Sequence, residues 1–428
     1  MTTIDLGPFP DADGYGEAVG LDAADDLARH RRRYVSTDPD LIYLDGNSLG
    51  RLPVGAVELV GNIVTREWGD RLIRSWNEGW WDLQIRLGDK LAPLLGAGAG
   101  EVIVSDSTSV NLYKLARAAV DHVAGERDRI VTDDLNFPSD LYILESVASQ
   151  TGRSLEVVGS DGVHGPVDGL ADAIDDRTAL VSLSHTVFQS GYTYDLGSIT
   201  RLAHDAGALV LWDCSHSVGS VPIDFELAGV DLAIGCTYKH LNGGPGSPAF
   251  LYVRSDLQDQ LTNPIAGWWG HTEPFAFELE FRPVSGIRRF HTGTMPTLSL
   301  AAIEPGVDDV VAATIPAIRE KSVRLGEYLV GQYERHLLAL GFELASPRDA
   351  AQRGSHISLR HQQAWPIDLA LIERAKVIPD FRAPDTLRLG LSALYTTFVE
   401  VHTAVQRVAQ VVASGIYEDY SGAEASVT

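Results

Sequence analysis

The chain is expected to fold as an α/β protein, with a mainly parallel, mixed sheet in a large domain and a smaller α+β domain toward the C-terminal end. Two observations carry this expectation. From about residue 100, short β-branched runs alternate with helical patterns, the order produced when parallel strands cross over through helices. From about residue 305 that alternation gives way to a long amphipathic stretch and short, separated strand-like runs. A length of 428 residues is enough for one large core and a second, smaller one. The expected division is an N-terminal segment, 1–50, packing beside the small domain, a large α/β domain, 51–305, and a small domain, 306–428.

Taken in order, EVIVS (101–105) reads as a strand, followed by a helix that opens near Thr108 and runs through NLYKLARAAVDHV. RIVTD (129–133) reads as the next strand. Pro138 suits the start of the following helix, because its fixed φ and missing N–H cost nothing in a first turn. SLEVVG, a helix near 168–175, TALVSLSH, a helix from about 196, and ALVLWD continue the alternation, and DLAIGC and AFLYV close it. One amphipathic helix is expected over about 308–340, then HISLR, a helix near 366–375, TLRLG and a closing helix from about 397.

Composition narrows the function. Hydrophobic content of 45% with 21% charged residues is that of a soluble globular enzyme. A formal charge of −24 disfavours nucleic acid and anionic membrane surfaces as partners, since both call for excess Lys and Arg. Two cysteines, Cys214 and Cys236, make no disulfide framework. The segment MTTIDLGPFPDADGYG has no apolar signal-peptide core, and no window is apolar over the length of a bilayer, so a cytoplasmic protein is expected. The 13 histidines show no metal-ligand spacing, and no metal is expected. The basic run His30–Arg33 reads as a solvated helix end.

The chemistry concentrates around Lys239, in DLAIGCTYKHLNGGPGSPAF, and Asp213, at the end of ALVLWD. The pair looks like a Schiff-base lysine and a carboxylate aimed at the pyridine nitrogen of pyridoxal phosphate. Alone, a strand-end Asp more often caps a turn, and a lysine before a Gly/Pro-rich turn is more often solvated. Asp213, His216 and Lys239 together shift that balance. Tyr238 is either a phenol for phosphate binding or proton transfer, or a core tyrosine. Ser107-Thr108-Ser109, between a strand and a helix, offers hydroxyls to a phosphate at a helix N-terminus, or simply an N-cap. Phe137 lies at another strand-to-helix junction, where it could stack on a ring, with Asp140 one turn on.

The blocks LDGNSLG (44–50), DSTSVNLYKL (106–115), NFPSDLYI (136–143), WDCSHSVGSVPID (212–224), GCTYKHLNGGPGS (235–247), GWWGH (267–271), FHTGTMP (290–296), RGSHISLRH (353–361) and RLGLSALYTTFVEV (388–401) follow in order along nearly the whole chain. They resemble the kynureninase family, bacterial type. That resemblance implies the pyridoxal-phosphate-dependent transferase-like fold (fold type I) of class V aminotransferases. It also implies hydrolysis of L-kynurenine, or its 3-hydroxy form, to anthranilate (or 3-hydroxyanthranilate) and L-alanine. Lys239 would hold the cofactor and move protons at Cα. Asp213 would pair with the pyridinium and Phe137 would stack on the ring. Thr108, Ser109, Asp140, His216 and Tyr238 would line the cofactor. Trp268 and Thr294 would reach it from the other subunit of a homodimer. Arg388 would clamp the substrate carboxylate as a bidentate fork, helped by Asn47 and Ser48. Trp76, Trp80, Trp269 and His271 are further candidates for the pocket lining.

Some positions depart from the family pattern. Cys214 and Ser215 stand where small or apolar residues are usual, His240 where tyrosine is common, and Phe188 where bacterial members carry tyrosine. Thr294 replaces an asparagine that animal members link to ring-hydroxylated substrate, and 71–81 lacks their histidine. These departures bear on 3-hydroxykynurenine rather than on the reaction. The rivals are a cysteine desulfurase or selenocysteine lyase, which needs a mobile nucleophilic cysteine, an aminotransferase, and a silent binding homologue.

Overall fold

The computed structural model describes residues 12–123 and 127–423. Its large sheet has seven strands, in the spatial order Val102–Val104, Phe250–Val253, Leu232–Gly235, Leu209–Asp213, Thr178–Ser184, Arg129–Asp133 and Ser154–Val158. All pairings are parallel except those of Phe250–Val253, which runs against both of its neighbours. The reversal has a local cause. Parallel neighbours need a crossover, usually helical, whereas the loop from 236 to 249 returns directly without one.

Helices cover both faces, so the central strands are apolar on both sides. Along Leu209–Asp213 the period of two is visible: Val210 and Trp212 enter one core with Leu87, Val104 and Phe250, while Leu211 enters the opposite core with Ile103, Leu115 and Ile234. The helices Thr108–His122, Pro138–Thr151 and Leu196–Asp205 begin where the sequence places them. Pro138 occupies the first turn, and Asp195 caps the third helix by accepting from Ser198 N at 2.6 Å.

The C-terminal region forms a smaller four-stranded antiparallel sheet, ordered Asp380–Arg382, Thr386–Gly390, His356–Arg360 and Glu343–Leu344. A separate core of Leu325, Leu329, Ile357, Leu387, Leu389 and Val405 packs beneath its helices. The single helix expected over 308–340 is two, Glu304–Ala313 and Ile315–His336. Thr314 breaks it at φ +68°, and Pro316 follows; proline can begin a helix but cannot donate the bond that would continue one. The closing helix, Phe398–Ser414, starts at a capping box in which Thr397 accepts from Glu400 N and Glu400 accepts from Thr397 N, both at 3.0 Å.

The described N-terminal residues pack on this smaller unit. Ala18 and Leu44 join its core, and Asp22 accepts from Phe398 N and Val399 N at 2.8 and 3.0 Å, an acid placed at a helix N-terminus. Ile42–Tyr43 pairs in parallel with Val377–Ile378. The run His30–Arg33 is not uniformly solvated: His30 is buried against Asp309 at 2.7 Å, and Arg31 holds Glu400 with two bonds of 2.7 and 2.6 Å. Arg32 and Arg33 stay outside, although the Arg33 guanidinium also reaches Asp309 at 2.9 Å. Among the described residues no helix is long and apolar enough to cross a membrane.

Candidate active site

The carboxyl ends of the central strands open into a cavity of about 520 Å³, the place where α/β sheets form their sites. Ser48, Thr108, Ser109, Phe137, Asp140, Asp213, His216, Tyr238, Lys239 and Arg388 all line it, although they span 340 residues of sequence.

Lys239 sits in the loop that follows strand Leu232–Gly235. That loop is held by Asn242 N to Lys239 O and Gly243 N to Thr237 O, both 2.9 Å. The turn from 46 to 50 presses against it. Gly50 N donates to Tyr238 O at 2.7 Å, and a Cβ at Gly50 would lie 2.4 Å from Lys239 O, so only glycine fits. The Lys239 amine reaches His216 Nε2 at 2.8 Å. Burial first, then Lys239 itself, hold the His216 pKa well below the usual imidazole value. A neutral His216 therefore accepts this bond at Nε2 and carries its proton on Nδ1, which is buried without a partner among the described residues. The Tyr238 phenol is pushed up by Cys236 and by burial, so it stays a proton donor.

Asp213 ends its strand with one carboxylate oxygen occupied: Oδ1 accepts from Ser215 N at 2.8 Å and Ser215 Oγ at 2.6 Å. Asp140 faces the same carboxylate. Burial, and then the charge of Asp213, hold Asp140 well above the usual carboxylate range, so its hydroxyl donates to Asp213 rather than adding a second negative charge. The pair presents one charge to the cavity.

At the opposite wall, Thr108 and Ser109 form the first turn of a 15-residue helix whose N-cap, Ser107, accepts from Val110 N at 3.3 Å. Hydroxyls, backbone N–H groups and the helix dipole converge there, a set suited to a phosphate. Two residues beneath were missed by sequence reasoning. Lys114 is wholly buried, 2.8 Å from Asp106 and 2.9 Å from Phe290 O. Burial alone would raise Asp106, but Lys114 brings it below its usual value. A charged residue inside the apolar run LYKLARAA was the available signal. Phe137 leaves 42% of its surface open and meets Phe188 edge to face at 5.2 Å.

The last wall is basic. Arg388, fully buried on strand Thr386–Gly390, donates Nη1 to Phe188 O at 2.5 Å and Nη2 to Ser48 Oγ at 2.6 Å, and also pairs with Asp380. Burial pushes its pKa down to about 10, which leaves it charged at neutral pH. Arg382, also missed, lines the same wall.

Seven candidates lie elsewhere. Asn47 does not line the cavity but is buried behind Arg388; with its amide oxygen turned to the guanidinium it accepts from Nε at 2.8 Å. A Cβ at Gly390 would fall 1.8 Å from its side chain, so this contact also demands glycine. Trp268 and Thr294 are exposed and outside the cavity of their own chain. Trp76, Trp80, Trp269 and His271 do not line it either. The indoles pack on one another, with Trp81 stacked on Trp269 at 4.2 Å and Trp76 5.4 Å from both Trp80 and Trp269. Cys214 and Cys236 are buried, and burial raises both thiols, so neither is a mobile nucleophile.

Comparison with known proteins bears on the family and the fold. The family model described as "Kynureninase C-terminal domain" matches residues 318–408. A kynureninase from Pseudomonas fluorescens is 44% identical over 401 residues, 92% of this chain and 94% of that protein. One from Burkholderia pseudomallei (strain 1106a) is 44% identical over 394 residues, 91% and 93% of the two chains. Among solved structures, a cysteine desulfurase from Thermococcus onnurineus NA1 superposes with a TM-score of 0.78 at 18% identity, covering 90% of this chain and 98% of its own. A cysteine desulfurase from Escherichia coli gives the same score at 18% identity, covering 91% and 99%. These two fix the fold, and the curated relatives fix the kinship: the chain belongs to the kynureninase family.

Proposed function

We propose that the protein is a pyridoxal-phosphate-dependent kynureninase, a hydrolase that opens the bond between Cβ and the aryl carbonyl carbon of L-kynurenine and releases anthranilate and L-alanine. The observation that carries this is the convergence of Lys239, Asp213, the Thr108–Ser109 helix end and Arg388 on one cavity. The residues fit the cofactor: an amine, a single shared carboxylate charge, a phosphate-binding helix end and the open face of Phe137 line one space. When bound, pyridoxal phosphate supplies an electron sink for charge developing at the substrate's Cα.

The protein's own groups supply the rest. Lys239 binds the cofactor and moves the Cα proton. His216, neutral and 2.8 Å away, accepts a hydrogen bond from that amine and keeps it aimed. Asp213 keeps the cofactor's ring nitrogen protonated, with Ser215 fixing one oxygen and Asp140 holding a proton against the other charge. Tyr238, a neutral phenol, passes a proton as water adds to the carbonyl. Arg388 binds the α-carboxylate, with Ser48 and Asn47 positioning it.

Trp268 and Thr294 complete the neighbouring site in a homodimer. Accordingly, Lys239→Ala and a Trp268→Ala/Thr294→Ala double variant, each deficient alone, are expected to regain activity when co-expressed; no regain would remove the two residues from the shared site. We infer that the protein works in the cytoplasm, in tryptophan catabolism through the kynurenine pathway and toward NAD biosynthesis. The deciding assay is release of fluorescent anthranilate from L-kynurenine. Its absence, with sulfide released from L-cysteine instead, would transfer the protein to the desulfurases.

A further inference from the structure

The basic wall of the cavity contains two arginines with one set of shared acceptors. Asp380 and Arg382 alternate on one strand, and Asp380 lies opposite Arg388 on the next, which brings all three side chains to one face. Ser48 Oγ accepts from Arg388 Nη2 at 2.6 Å and Arg382 Nη2 at 3.1 Å. Asp380 Oδ2 accepts from the same two nitrogens, at 2.9 Å in the case of Arg382.

Counting N–H groups shows what remains. A guanidinium has five. On Arg388, Nε is held by Asn47, both protons of Nη2 by Ser48 and Asp380, and one of Nη1 by Phe188 O. One N–H is left, and a bidentate carboxylate needs two that are parallel. Arg382 differs. It lines the cavity and its side chain is about one-third exposed; Nη2 is committed to Ser48 and Asp380, but Nη1 keeps both N–H groups without a partner among the described residues.

We propose that the substrate's α-carboxylate is bound by Arg388 and Arg382 together, with Asp380 and Ser48 holding the two guanidinium groups side by side and Arg382 supplying the donors that Arg388 has already committed. This rests on the proposed kynureninase reading and revises its single-arginine clamp.

Charge favours the same arrangement. Three carboxyl groups, Asp45, Asp368 and Asp380, surround the two arginines, and all three ionised would leave the wall negative. Burial, and next Asp380, push Asp45 up to about 7 and Asp368 up to about 8, so near neutrality Asp368 is mostly protonated and Asp45 partly so. Asp380 then offsets one of the two positive charges, and the wall stays cationic toward one carboxylate.

The test uses the holoenzyme and two probes, L-alanine and L-alaninamide, which share the amine but not the carboxylate. Their dissociation constants are read from the visible spectrum of the bound cofactor. Arg382→Met is expected to weaken L-alanine roughly ten- to hundredfold, the loss of a charged hydrogen-bond pair, and to leave L-alaninamide unchanged. KM for kynurenine should rise by more than kcat falls. Arg382→Lys, which keeps the charge without the planar fork, should recover part of the L-alanine affinity, as a structural role would not. Equal losses for both probes, or no loss for L-alanine, would overturn the pair. Native enzyme that released no anthranilate would overturn the kynureninase reading instead, while the comparison of the two probes would still decide the role of Arg382.

Discussion

Lys239→Ala is expected to lose the visible absorbance band of bound pyridoxal phosphate and to lower kcat by about 10⁴-fold, the upper range for removing a positioned proton-transfer group. Among the residues that line the cavity Lys239 is the only lysine, so no neighbouring amine can take over the covalent bond. The second loss is kinetic. Lys239 is the amine that meets His216 at 2.8 Å, and on the proposed mechanism its loss also removes the base for the Cα proton. The side chain lines the cavity and is only partly buried, so the fold should survive; a thermal melt close to the native one would confirm that the loss is chemical. A variant that kept the band would show that another residue holds the cofactor.

Asp213→Asn should cost about 10²–10³-fold in kcat/KM, comparable to removing one preorganised electrostatic partner from a water-poor site. The substitution preserves shape while deleting the single negative charge of the Asp140–Asp213 pair. Asp140 cannot substitute, because burial favours its neutral form; removing the charge of Asp213 lowers one of the pressures on it, but burial, the larger one, remains. The diagnostic signature is therefore spectral as well as kinetic: the bound cofactor should titrate at a different pH, reflecting a ring nitrogen that is no longer protonated. Full activity in Asp213→Asn would mean that the ring nitrogen is not held by this residue.

Much of this was legible in the sequence. The alternating runs locate all seven large-sheet strands: six are almost wholly buried, and the edge strand Ser154–Val158, only partly covered, still shows in its β-branched residues. The site residues on strand ends and first turns, such as Asp213 and Thr108, follow from the same pattern. What escaped depends on pairing across long distances. The two-residue strand Ile42–Tyr43 exists because Val377–Ile378 offers it an edge, and no periodicity marks so short an element. Arg382 reads as an ordinary charged strand residue until Asp380 and Arg388 are seen on the same face. Trp268 and Thr294, named from the family resemblance, do not line the cavity of their own chain.

The turn that packs Gly50 and Ser48 against the site also sets an order of events during synthesis. Ser48 needs Arg388, which is 340 residues further on. At ordinary translation speeds of 5–20 residues per second, those partners leave the ribosome roughly 20–70 s apart. The large sheet contains no strand beyond Val253 and can assemble first, while the opening segment waits without its final neighbours. A nascent chain halted before residue 380 would thus hold a nearly finished cofactor platform with no means of gripping an amino acid.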